Sequence, residues 1–100
     1  MYIDYNLSSQ LRRRYLKEYR LLKRLESWYK IYEPEVEFYL YLDWNLNNPK
    51  YQFFTLDIIN YDHCVYTKSN KDFVALVNSI KTSTDKVKSI YEEMQRTYKA

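Results

Sequence analysis

The sequence predicts an α+β fold, in which a long basic N-terminal helix precedes a two- or three-stranded antiparallel meander and a C-terminal helical segment packed on the sheet. Three observations predict this order. Residues 8–32 carry apolar side chains at helical spacing, residues 35–44 alternate apolar with polar side chains, and residues 70–99 return to helical spacing. The 100 residues are enough for a single domain, and their 46% hydrophobic content can form a core.

The first helix is predicted over about residues 8–32. Ser8 or Ser9 can cap its N-terminus, and Pro34 ends it because proline disfavours a helical conformation in the preceding residue. Leucines and aromatic residues, with Trp28 as an expected core anchor, line one broad face of this helix: Leu7, Leu11, Tyr15, Leu21, Leu22, Leu25, Trp28, Tyr29 and Tyr32.

The opposite face of this helix is almost entirely basic, with arginine more frequent than lysine: Arg12, Arg13, Lys17, Arg20, Lys23, Arg24 and Lys30. Only Glu26 offers Lys30 an acidic neighbour at i,i+4 spacing, and Arg14 and Glu18 form a second such pair on the apolar side. Such a face is either solvated or binds an anionic partner, and arginine suits bidentate contacts with phosphate or carboxylate groups.

The strands follow the helix. Residues 35–44 form a strand with one apolar face, on which Trp44 is expected to anchor the core: Val36, Phe38, Leu40, Leu42 and Trp44. Residues 45–50 form the turn, residues 51–61 form a second strand, and residues 63–67 fit a short third strand.

The opposite sheet face is rich in aromatic residues: Tyr39, Tyr41, Phe53, Ile59 and Tyr61. It can be covered by the second helix, form a protein contact, or stack nucleic-acid bases. Coverage by the helix is the first expectation, and the acidic neighbours of the tyrosines disfavour base stacking because they repel phosphate.

The C-terminal segment opens at Ser69 or Asn70 and is predicted as helix to about residue 99. Its apolar positions keep a spacing of three and four residues: Phe73, Val77, Ile80, Val87, Tyr91, Met94 and Tyr98. The sequence KTSTD over residues 81–85 is a poor helix interior, because hydroxyl and carboxylate side chains compete for backbone hydrogen bonds. We therefore expect a kink, or two consecutive helices, near residues 82–85.

No motif for catalysis, metal binding or cofactor binding is found in the sequence. The chain contains 13 tyrosines and no glycine, which excludes the glycine-dependent phosphate-binding loops. His63 and Cys64 are adjacent, so they point to opposite faces of an extended segment and are too few for a zinc site. Glu35, Glu37 and Asp43 share one strand face, which we interpret as solvated. We expect no enzymatic activity, no metal and no cofactor.

A cytoplasmic location is expected. A single cysteine cannot form an internal disulfide and fits a reducing compartment. No run of 18 apolar residues is present, and the first ten residues lack the pattern of a secretory signal. We therefore expect no contact with a membrane.

Charge is distributed in blocks along the chain. Residues 7–32 carry a net charge of +6, residues 33–62 carry −5 and residues 63–100 carry +3; with Asp4 these sum to the formal net charge of +3. The predicted partner-binding residues come from the basic helix and the aromatic strand face: Arg12, Arg13, Lys17, Arg20, Lys23, Arg24, Tyr39 and Tyr41.

The layout of these elements resembles some type II anti-CRISPR proteins, and a short, tyrosine-rich chain without glycine looks like a phage or mobile-element product. The resemblance is carried by the Arg12–Arg14 run, the leucine-spaced helix ending in Trp28 and Tyr29, the hairpin, and the Phe73–Met94 helix. It implies a small inhibitor that binds a host protein or nucleoprotein complex in the host cytoplasm.

Three functional hypotheses follow from the sequence. The first is a non-enzymatic inhibitor that binds a host protein or a protein–RNA complex through charged and aromatic patches. The alternative is a nucleic-acid-binding regulator that uses the basic helix face on phosphates, and a further alternative is a structural homo-oligomer. The negative strand region favours a protein partner, because it would hinder a duplex wrapped around the molecule.

Overall fold

The computed structural model describes residues 1–44 and 52–99, without the side chains of Asn6, Trp44, Gln52, Tyr98 and Lys99. The predicted turn over residues 45–50 and the predicted core position of the Trp44 side chain lie outside the described part. The described residues form a four-stranded sheet and three helices, which confirms the predicted α+β class. Their order is β1 (Tyr2–Ile3), α1 (Tyr5–Arg14), α2 (Leu16–Tyr32), β2 (Val36–Trp44), β3 (Gln52–Asn60), β4 (His63–Asn70) and α3 (Phe73–Lys99).

The sheet is mixed, with the strands in the order β1-β2-β3-β4. Strand β1, which the sequence did not predict, runs parallel to β2, while β3 runs antiparallel to both β2 and β4. The third strand of the predicted meander is longer than residues 63–67. It contains a bulge, because Ile58 pairs with Tyr66 and Ile59 pairs with Cys64, which leaves Val65 as the extra residue.

A single core joins one face of the sheet to all three helices. Its buried apolar residues are Leu7, Leu11, Leu22, Val36, Phe38, Leu40, Leu56, Ile58, Phe73, Leu76, Val77 and Ile80. Trp28, which the sequence predicted to be a core anchor, is instead half-buried in an aromatic cluster with Tyr29, Tyr32 and Tyr91 between α2 and α3.

The other face of the sheet, which we call the outer sheet face, is not covered by any of the three helices that the described residues form. By strand alternation and register it carries Tyr2, Glu37, Tyr39, Tyr41, Asp43, Phe53, Thr55, Asp57 and Ile59. The expectation that α3 covers this face is wrong. The reason is that the apolar residues of α3, from Phe73 to Ile80, complete the same core that α1 and α2 cover.

The predicted first helix is divided in two. It begins at Tyr5 rather than near Ser8, because the Asp4 carbonyl accepts the first backbone hydrogen bonds, from the N–H groups of Leu7 (2.9 Å) and Ser8 (3.2 Å). It is interrupted at Tyr15, whose φ of −130° and ψ of 35° are not helical. The Tyr15 ring lies 5.1 Å from the Phe73 ring, so aromatic packing accompanies the interruption.

Helix α3 runs without interruption through the segment where a kink or a second helix was expected. The hydroxyls of Thr82 and Thr84 donate to the carbonyls of Asn78 (3.0 Å) and Ile80 (2.8 Å), four residues earlier. Thr84 is only 2% exposed, so packing holds it in the helix. The hydroxyls therefore bond along the helix instead of ending it.

Candidate binding surfaces

The basic helical face consists of the six cationic residues predicted to bind a partner: Arg12, Arg13, Lys17, Arg20, Lys23 and Arg24. All six side chains are exposed. None of them has a carboxylate within ion-pair distance among residues 1–44 and 52–99. Lys23 lies 5.1 Å from the centre of the Tyr19 ring, which is a cation–π distance. This face is therefore an uncompensated positive surface.

The helices direct this face away from the sheet. On α2, Lys17, Arg20 and Arg24 follow a spacing of three and four residues, opposite the buried Leu22. Arg12 and Arg13 lie in the last turn of α1, where positive charge is favoured by the helix dipole. Arg14 is exposed in the same turn and forms no ion pair with Glu18, since the two residues stand on either side of the Tyr15 interruption.

Lys30 does not belong to this face. It is half-buried, and its ammonium lies 3.2 Å from a carboxylate oxygen of Glu37, which raises the pKa of Lys30 through that hydrogen bond. The expected i,i+4 partner, Glu26, is buried and contacts the α-amino group of Met1 (3.0 Å) and the backbone N–H of Phe38 (2.8 Å). Lys30 therefore pairs with Glu37 instead of Glu26.

Tyr39 and Tyr41 lie on the outer sheet face, on the far side of the sheet from the helices. The Tyr39 side chain is 38% exposed and stacks on Tyr2 at 4.7 Å between ring centres. Tyr41 donates a hydrogen bond to Asp57 (2.9 Å), and burial together with this bond and the nearby acids raises the pKa of Tyr41 to about 12. The predicted partner-binding residues therefore divide into two separate surfaces, one cationic and one aromatic and acidic.

A cavity of about 350 Å³ opens between α2, α3 and strands β3 and β4, and we call it the tyrosine cavity. Four aliphatic side chains line its walls: Ile58, Val65, Ile80 and Val87. Its polar lining consists of Tyr29, Glu33, Asn60, Tyr66, Ser83, Thr84 and Tyr91. A volume of this size is in the range of small-molecule sites.

Glu33 is the one carboxylate among the cavity's lining residues that the structure describes. Its two oxygens accept hydrogen bonds from the Tyr91 hydroxyl (2.7 Å) and the Asn60 amide (3.2 Å). The bond to Glu33 raises the pKa of Tyr91, and burial raises the pKa of Tyr29. Both phenols therefore stay protonated at neutral pH and can act as hydrogen-bond donors.

The sequence did not indicate Glu33 or Glu26 as site residues. Glu33 follows the last turn of α2 and stands next to Pro34, which marks only the end of the helix. Its partner Tyr91 is 58 residues away in the chain. No local signal in a single sequence reports such a contact.

His63 and Cys64 do not form a site. Both side chains are exposed, and the Cys64 thiol lies 3.5 Å from the Tyr66 carbonyl oxygen. In the part of the chain that the structure describes, no three histidine, cysteine or acidic side chains are grouped closely enough to hold a metal ion. None of the helices in that part has the length and apolar character needed to span a membrane.

Comparison of the chain with protein-family models, curated proteins and solved structures finds no match.

Proposed function

We propose that this chain is a small non-enzymatic binding protein that attaches to an acidic surface of a host nucleoprotein complex through its basic helical face. The single observation that carries the proposal is the absence of compensating acids. Six exposed cations of α1 and α2 have no carboxylate partner among the described residues. Such a face carries self-repulsion when the chain is alone, and an anionic partner relieves it.

The resemblance in layout to type II anti-CRISPR proteins supports an inhibitory outcome. A basic face bound to the phosphates or acidic side chains of a defence complex would obstruct the surface that it covers. The outer sheet face would then remain available for a second contact, because it lies on the other side of the molecule. We place this activity in the cytoplasm, since the exposed and unpaired Cys64 suits a reducing compartment.

A second candidate, a nucleic-acid-binding regulator, is favoured by a specific observation. Four of the six acids in residues 33–62 are directed to other surfaces: Glu37, Asp43 and Asp57 lie on the outer sheet face, and Glu33 lines the tyrosine cavity. Phosphates that approach the basic helical face therefore meet cations without these acids beside them.

The test is a quadruple variant, Arg13→Gln, Lys17→Gln, Arg20→Gln and Arg24→Gln. Glutamine resembles arginine and lysine in helix propensity, so the helix should remain folded. The matched control replaces four exposed lysines outside this face with glutamine: Lys68, Lys81, Lys86 and Lys88. Each variant removes four positive charges, which changes the formal net charge from +3 to −1 (3 − 4 = −1).

Binding is measured against duplex DNA, single-stranded RNA and nuclease-treated bacterial lysate, each over a salt series. We expect the basic-face variant to lose binding and the control to keep it. For a duplex, the salt slope should fall by up to about 3.6, because each neutralised phosphate contributes about 0.9. Binding that survives nuclease treatment and depends weakly on salt supports a protein target. Equal binding by the wild type and the basic-face variant contradicts both candidates.

A further inference from the structure

We infer that the tyrosine cavity is a binding site for a small organic ammonium ion with an apolar substituent. The inference does not depend on the function proposed above, because the cavity and the basic helical face share no residue. It depends on the carboxylate, the tyrosine rings and the aliphatic side chains that line the cavity, and on the absence of lysine and arginine from its described lining.

The charge of the cavity comes from Glu33. Its oxygens accept bonds from two neutral donors, Tyr91 and Asn60, and no cationic side chain lies within ion-pair distance of it among the described residues. No lysine or arginine lines the described cavity either. A carboxylate can accept about four hydrogen bonds, so acceptor capacity remains for the N–H groups of a ligand.

The position of Glu33 strengthens the attraction for a cation. Its backbone N–H donates to the Tyr29 carbonyl at the C-terminal end of α2. Backbone carbonyls at this end carry partial negative charge, which disfavours a carboxylate and favours a cation. A bound ammonium ion would therefore interact favourably with both the side chain and the helix end.

The tyrosines and aliphatic residues define the rest of the ligand. Tyr29, Tyr66 and Tyr91 line the cavity, and the ring of Tyr91 is held by stacking on Tyr32 at 4.6 Å between ring centres. Aromatic rings attract ammonium groups over their faces. Ile58, Ile80 and Val87 provide apolar walls for an alkyl or aryl substituent. An anionic ligand of the same shape would be repelled by Glu33.

The experiment compares three probes of similar shape by calorimetric titration of the full chain at neutral pH and constant ionic strength: 2-phenylethylammonium, 2-phenylethanol and phenylacetate. We expect the ammonium ion to bind at least about tenfold more tightly than the alcohol, because its bond to the carboxylate is charge-assisted. Phenylacetate should bind most weakly. Equal affinity for the ammonium ion and the alcohol, or no binding by any probe, overturns the inference.

Two variants locate the site. Glu33→Gln should reduce the preference for the ammonium ion to about that of the alcohol, while Glu35→Gln, an exposed carboxylate two residues away with the same charge change, should leave it unchanged. Val65→Trp, at a bulge position that is 58% exposed and lines the cavity, should weaken all three probes by obstructing the entrance. It also provides a test if Glu33→Gln fails to fold. Unchanged titrations in a folded Glu33→Gln or Val65→Trp variant contradict the assignment.

Discussion

At the scale of single residues, Glu26 connects distant parts of the fold. It stands on α2, is 7% exposed, and binds the α-amino group of Met1 and the backbone N–H of Phe38. One carboxylate thus joins the start of the chain, a helix and the second strand. Next to this contact, β1 pairs with β2 at the edge of the sheet.

Glu26→Ala should lower the free energy of unfolding by about 3–5 kcal/mol, because it leaves a buried ammonium group and a buried N–H without their acceptor. Glu26→Gln should cost less, since its amide oxygen can still accept from Phe38. The measurement is urea denaturation followed by tyrosine and tryptophan fluorescence. Glu18→Ala, on the same helix and without an ion pair in the structure, is the control and should change stability by less than about 0.5 kcal/mol. Equal effects of the two alanine variants would show that the ion pair does not stabilise the fold.

Residue roles were predictable from the sequence only where the determining contacts are local. The exposure of Lys17, Arg20 and Arg24 follows from helical spacing within α2, so periodicity was enough to identify it. The roles of Glu26 and Glu33 depend on Met1 and Tyr91, which are far away in the chain. Periodicity carries no information about such pairs.

At the scale of elements, boundaries were predicted where they depend on local sequence patterns and were missed where they depend on tertiary packing. The strand beginning near residue 35 was located to within one residue, because alternation is a strong local signal. The interruption at Tyr15 and the continuity of α3 were not predicted. Both depend on packing: Tyr15 lies against Phe73, and Thr84 is buried.

The aromatic cluster between α2 and α3 should contribute less to stability than the core. Trp28 is half-buried beside Tyr32 and Tyr91, whereas Phe38 is fully buried. Trp28→Ala should therefore cost roughly 1–3 kcal/mol, which is the range for partial apolar burial and aromatic pairing. Phe38→Ala should cost about 3–5 kcal/mol. Both values are obtained by urea denaturation, with Ile31→Ala, at an exposed position of α2, as the control. A Trp28 effect as large as that of Phe38 would place the tryptophan in the core after all.

At the scale of the whole molecule, the two-layer arrangement separates opposite charges. The helices carry the basic helical face on one side, and the sheet carries Glu37, Asp43 and Asp57 on the other. Lys30 of α2 pairs with Glu37, and the remaining charges of α2 and the outer sheet face form two separate surfaces among the described residues. Cations that face solvent without partners repel one another, so the basic helical face should destabilise the folded chain.

This repulsion predicts that removing the cations raises the melting temperature, whereas removing cations that stabilise the fold would lower it. The quadruple basic-face variant replaces Arg13 at the end of α1 and three cations of α2. Within α2 it removes three like-charge pairs at helical spacing: Lys17–Arg20, Arg20–Lys23 and Arg20–Arg24. Each such pair is unfavourable by about 0.2–0.5 kcal/mol, so the variant should melt a few degrees higher than the wild type at low salt. The gain should shrink as salt screens the charges.

The lysine control should respond in the opposite direction, although its charge change is the same. Lys81 and Lys88 stand four residues before Asp85 and Glu92 on α3, so their replacement removes attraction rather than repulsion. Thermal unfolding of both variants over a salt series measures the difference. A lower melting temperature for the basic-face variant at low salt would mean that these cations stabilise the fold. Their presence would then be explained by stability, and their lack of acidic partners would not indicate a binding partner.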